Sequence, residues 1–189
     1  MKKVLLLAIL LPLLSLGVFA QNSHMTFQGI PIDGSAEEFS HKLVNKGFNL
    51  VKTTEKYSYF SGTFANEECG LGINITPVSK NVWRVLIVLP SKSSWFTLKS
   101  QYKNFKISYT QKYGSPTSYE FFLDPYYEGD GYEMSALHLK KCVYMSLFSV
   151  DNGKILLSMS DDHLTIIYED AINSEKSENE KNNIRYKDI

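Results

Sequence analysis

Two amphipathic helical segments, each shut by a glycine and each followed by a run of strand-like segments, constrain this chain more than any other feature. In the first, Ser35-Ala36-Glu37-Glu38 has the form of a capping box, a serine N-cap with a glutamate three residues on. The helix it opens sets Phe39 and Leu43 on one face with Val44 beside them, and Lys46-Gly47 closes it. The second starts at Ser93 or Ser94. Trp95, Leu98, Tyr102, Phe105 and Tyr109 then recur at steps of three and four, which is one helical face. Gly114 ends it, and Pro116 forbids continuation.

The intervening sequence alternates at a period of two. Residues 27–32 read as an opening strand stopped by Asp33-Gly34, and residues 48–51, 57–64, 71–75 and 82–89 as strands after the first helix. Residues 82–89 are nearly continuous in apolar side chains, which predicts a strand central in its sheet or covered on both faces. After the second helix, strands are predicted at 119–123, 142–150, 155–160 and 164–169, while 132–139 fits strand or helix equally. Asn152-Gly153 predicts a hairpin turn, because both residues tolerate positive φ. The fold class expected is α+β: two tandem helix-plus-antiparallel-sheet units, residues 27–90 and 91–171, each too small to bury its sheet alone and so sharing one core.

The ends read differently. Lys2 and Lys3 precede an apolar run over residues 4–14, and Val18-Phe19-Ala20 ends on the small residue a signal peptidase requires. Residues 1–20 are therefore expected to be a secretory signal peptide, and the protein to be exported, periplasmic or extracellular. No cysteine stands at the cleavage point to carry a lipid. Residues 21–26 are expected to form a flexible start and residues 172–189, rich in Ser, Glu, Lys and Asn, a disordered charged tail. The chain has two cysteines, Cys69 and Cys142. In an oxidising compartment such a pair predicts a disulfide, the alternative being two buried thiols, since neither has a base nearby in sequence to make it reactive.

Without its leader the chain is close to neutral and slightly acidic, which argues against nucleic acid, and no second apolar run is long enough to cross a bilayer. It holds no Gly-x-Ser-x-Gly elbow, no phosphate-binding glycine loop and no dinucleotide fingerprint. His24, His41, His138 and His163 are scattered singly, and Asp161-Asp162-His163 reads as a polar turn. No catalytic residue, metal ligand or cofactor is assigned. The loop at 124–131 is acidic and aromatic. Asp124, Glu128, Asp130 and Glu133 offer oxygen atoms, at spacings that do not follow the calcium-loop rule. Tyr126, Tyr127 and Tyr132 supply contact area at low entropic cost, as recognition loops do, or else cover one end of the sheet.

The run Phe27-Gln28-Gly29-Ile30-Pro31-Ile32-Asp33-Gly34, the helix through Phe39 and Leu43 to Lys46-Gly47-Phe48, and Lys112-Tyr113-Gly114-Ser115-Pro116 resemble a family of small uncharacterised exported bacterial proteins. More loosely, tandem helix-plus-sheet units resemble the β-lactamase-inhibitor-protein fold and the small outer-membrane-assembly lipoproteins. That resemblance implies a binding or scaffold protein without catalysis. The expected function is an exported, non-enzymatic binding or interaction protein of unknown ligand, its partner an unknown protein or a small apolar ligand. The alternatives are a periplasmic carrier of a small apolar ligand, or an envelope hydrolase with a site assembled from distant residues.

Overall fold

A two-residue turn at Gln28-Gly29 joins strands β1 (Thr26–Phe27) and β2 (Ile30–Pro31) into a small hairpin at the start of the part described by the computed structural model, residues 23–187. The leader read at residues 1–20 lies outside that part. Ser35 then caps α1 (Ala36–Asn45): its Oγ accepts from the Glu38 N–H at 3.2 Å, and Glu38 Oε2 accepts from the Ser35 N–H at 3.2 Å. Phe39 and Leu43 are the residues α1 buries. Gly47, at φ +92°, turns the chain into β3 (Asn49–Thr53). An antiparallel meander follows through β4 (Tyr57–Phe64), β5 (Glu67–Ile75) and β6 (Val82–Val88).

The second passage repeats that order on a larger scale. Ser94 caps α2 (Trp95–Tyr113), which Gly114 ends at φ +85°. β7 (Thr117–Phe122) leads through an irregular loop to α3 (Glu133–His138), so the segment open to either reading is a short helix. β8 (Cys142–Val150), β9 (Gly153–Ser160) and β10 (His163–Asp170) complete a second meander, and α4 (Ala171–Lys187) follows at once. The eight long strands form one antiparallel sheet in the order β3-β4-β5-β6-β10-β9-β8-β7. The fold is α+β. The last strands of the two meanders meet at its centre, with Ile87 opposite Ile166 and Val85 opposite Tyr168.

Alternation along each strand sends one set of side chains beneath the helices. Phe60, Leu71, Ile87, Ile166 and Leu157 stand in register across five strands, each fully buried, and belong to a single apolar core with Phe39, Leu43, Leu98 and Tyr102. The hairpin enters that core through Phe27, whose ring packs edge-on against Tyr168 at 5.3 Å and stacks on Phe64 at 5.8 Å.

Four expectations are corrected. Cys69 and Cys142 are free and buried, not bridged. They stand on β5 and β8, which β6, β10 and β9 separate, so about 19 Å of sheet lies between them, against the roughly 7 Å a disulfide spans. Desolvation pushes the Cys69 thiol up to about 11 and Cys142 up to about 12. Residues 23–26 are docked rather than flexible: Met25 is buried, its N–H donating to Asp170 Oδ2 at 2.7 Å, and His24 Nδ1 lies 3.0 Å from Asp170 Oδ1.

Residues 172–187, read as part of a charged tail, form nearly all of α4. Asp170 caps it by accepting from the Asn173 N–H at 2.8 Å. The buried Asn173 amide donates to the carbonyls of Ile32 and Val82 and to Asp33, and Glu180 accepts from the N–H groups of Val78 and Ser79. Because these anchors are polar, an apolar pattern could not announce them. Finally, the β8–β9 turn falls on Asp151-Asn152, and neither Asn152 nor Gly153 has positive φ. Gly153 is needed for another reason, since a Cβ there would collide with the Glu169 carbonyl.

Candidate functional site

Residues 123–132 form a loop tied down at several points. The Leu123 N–H donates to the Lys141 carbonyl at 2.7 Å, and the Asp124-Pro125 peptide is cis. Asp130 accepts from the Tyr127 N–H at 3.1 Å and the Tyr132 N–H at 2.7 Å, so one carboxylate draws both tyrosine backbones into a tight turn. Glu133 Oε1 accepts from the Gly129 N–H at 2.8 Å. Glu128 pairs with Lys99 of α2 and accepts from the Tyr144 hydroxyl at 3.1 Å. The Lys99 bond holds the Glu128 carboxyl below its ordinary value, and desolvation raises Tyr144. Three of the four acidic side chains therefore serve backbone N–H groups, a lysine or a phenol instead of a common centre. Among the described residues no group of three or more His, Cys, Asp or Glu side chains is placed to hold a metal ion.

The three tyrosines do not act together. Tyr126 is half-buried and packs against the core, while Tyr127 and Tyr132 are 65 % and 64 % exposed. Beneath them lies an aromatic cluster in which Trp95 meets Tyr144 edge-on at 5.0 Å and Phe122 at 5.4 Å. One ring thus covers the core, and two stand out from the end of the sheet.

A broader surface begins beside this loop. On the sheet face opposite the buried rows, Leu86, Ile167, Leu156 and Leu147 stand in register across β6, β10, β9 and β8. The next row runs Val88, Thr165, Ser158, Met145 and Tyr119. Val143 and Phe121 follow on β8 and β7. The members of these rows on the four inner strands are half-buried, whereas their chain neighbours Ile87, Ile166 and Leu157 on the helix side are fully buried. On edge strand β7, Tyr119 and Phe121 are 50 % and 43 % exposed, and Leu123 just beyond it 43 %. Beyond the leucine row, charge forms a rim: Glu169 is held by Arg84 and Lys154, each at 2.8 Å. Burial works against the Glu169 carboxylate, but the Lys154 and Arg84 hydrogen bonds outweigh it and hold its pKa below the ordinary value. The open face thus has a largely apolar centre bordered on one side by charge.

Sequence reasoning reached the tyrosine loop but missed these rows. Their signal was present in β8, where Val143, Met145 and Leu147 are apolar at the positions alternating with Tyr144, Ser146 and Phe148. The histidines do not converge: His41 and His138 are exposed, His163 meets Asp162 at 3.1 Å, and His24 lies between Asp33 and Asp170. Among the described residues no helix is long and apolar enough to cross a membrane. Searches against family models, curated proteins and solved structures find no match.

Proposed function

We propose that this is an exported, non-enzymatic protein that binds a folded protein partner through the open face of its sheet. The observation that carries the reading is the half-buried apolar row from Leu86 to Leu147 on the uncovered face, continued onto the edge strand by the exposed Tyr119 and Phe121. Five adjacent strands span roughly 19 Å, a width suited to a protein surface. The glutamate–arginine–lysine rim supplies charges that fix orientation. Tyr127 and Tyr132 leave the sheet at the end opposite that rim, next to Phe121, and extend the contact there. We also read the two helix-plus-four-strand passages as tandem copies of one unit, on the strength of their matching element order.

The test is capture of partners from envelope and medium of the source cell, with Leu147→Lys/Leu156→Lys as a second bait. A partner held by the natural protein and lost by this variant, with its thermal midpoint little changed, supports the reading. Equal capture by both baits overturns it. A separate Tyr127→Ser/Tyr132→Ser bait measures what the loop adds.

A further inference from the structure

Away from both the loop and the open face, the end of α2 and the N-terminal hairpin enclose a cavity of about 300 Å³. Phe64, Tyr109, Tyr113 and Tyr168 line it, with Gln28 in the hairpin turn and Lys112 on the helix. The size is at the lower end for small-molecule sites, and the four rings share the lining with the polar side chains of Thr26, Gln28, Ser108 and Lys112.

Two features give the cavity a chemical preference. Tyr109 and Tyr168 are both buried, with their hydroxyl oxygens 2.5 Å apart, and each makes its sole hydrogen bond among the described residues to the other. A pair of phenols carries two protons and their mutual bond uses one, so the second O–H is left without an acceptor. Desolvation raises both phenols well above their ordinary values, which keeps that proton in place at neutral pH. The second feature is Lys112. Its Nζ lies 5.0 Å over the Tyr113 ring, it forms no ion pair among the described residues, and no acidic side chain lines the cavity.

We infer that this cavity is a binding site for a small aromatic carboxylate, its ring held among Phe64, Tyr109, Tyr113 and Tyr168 and its carboxylate met by Lys112. The unused phenol proton serves as a second donor to a ligand oxygen. Electrostatics sets the preference within the class, because a lone cation beside aromatic walls favours an anion over the neutral amide of the same shape. The site is independent of the sheet-face reading, and each stands or falls by its own experiment.

The test follows amide NMR spectra of the protein during titration with naphthoate, naphthamide and naphthylmethylamine. The expected result is that naphthoate shifts the amides of Gln28, Gly29 and residues 108–113, with naphthamide about tenfold weaker and the amine weaker still. Lys112→Met, an exposed change that leaves the core alone, is expected to abolish the preference for naphthoate over naphthamide. Tyr109→Phe/Tyr168→Phe, which removes both phenol protons, is expected to weaken both ligands. Equal binding of acid and amide, retention of the preference in Lys112→Met, shifts confined to the open sheet face, or no shifts at all would each overturn the assignment.

Discussion

α1 runs ten residues and buries two side chains, whereas α2 runs nineteen and buries four. The second half of the sheet is therefore roofed by its own helix. The first half borrows: Phe27 and Ile30 of the hairpin and Met25 before it fill core space that α1 leaves open, and α4 crosses the end of the sheet at β6. The difference teaches that the first half's core is completed by segments at both ends of the described chain, and the N-terminal segment that does so also reaches Asp170 and Tyr168 of β10 in the second half. The loop with Tyr127 and Tyr132 lies in the half roofed by the longer helix.

Predictions follow from that contrast. The largest effect is expected from emptying the shared core beneath each helix. Phe39→Ala in α1 and Leu98→Ala in α2 should each cost ~2–5 kcal/mol, in a single denaturant transition seen alike by fluorescence and circular dichroism. Two separable transitions would show that the halves fold independently. Next comes Asn173→Ala, which strips buried carbonyls of Ile32 and Val82 of a donor and should cost about 1–3 kcal/mol. Hydrogen exchange should then rise in the hairpin and β6 and stay unchanged in β8; a uniform rise would end the idea that α4 serves the first half.

A smaller effect concerns acid. Glu169 joins the halves through Arg84 of β6 and Lys154 of β9, and its folded pKa lies below the ordinary 4.5. A depressed carboxyl stabilises fully above its unfolded value and loses that contribution as pH falls through the lower folded one. Glu169→Gln should therefore flatten the stability decline below about pH 4.5, and an unaltered slope would count against the pair. The smallest effect is expected from reductant. With Cys69 and Cys142 four strands apart, it should leave the midpoint where it was. A thiol reagent should find both groups promptly only after unfolding, and a native protein with no thiols at all would contradict the strand order.

Much of this architecture was legible because local rules and tertiary packing agree. Ser35 and Glu38 meet as a capping box, Leu98, Tyr102 and Tyr109 share the buried face their spacing demanded, and the continuous apolar run at 82–89 occupies the sheet centre. What was not legible depends on strand order or on polar anchoring. Cys69 and Cys142 both occupy meander strands, but the meanders join through β6 and β10, which sends the two residues toward opposite edges. Asn173 and Glu180 hold α4 by hydrogen bonds, with Ser177 buried between them, a face too polar for periodicity to detect. For the site, tyrosine content marked the loop, and only register revealed that Leu86, Ile167, Leu156 and Leu147 line up.

The pairing of β6 with β10 has a consequence for how the molecule is made. β6 is complete well before β10 is synthesised, so a growing chain holds an apolar strand edge with no neighbour through all of α2 to β9. The contacts that close that edge join residues 84–88 to residues 165–169, near the far end of the described chain. Closure thereby waits until β10 has been made, and folding is tied to a slow long-range step. Until then the growing chain has an open seam that a holding factor, or another copy of itself, can occupy.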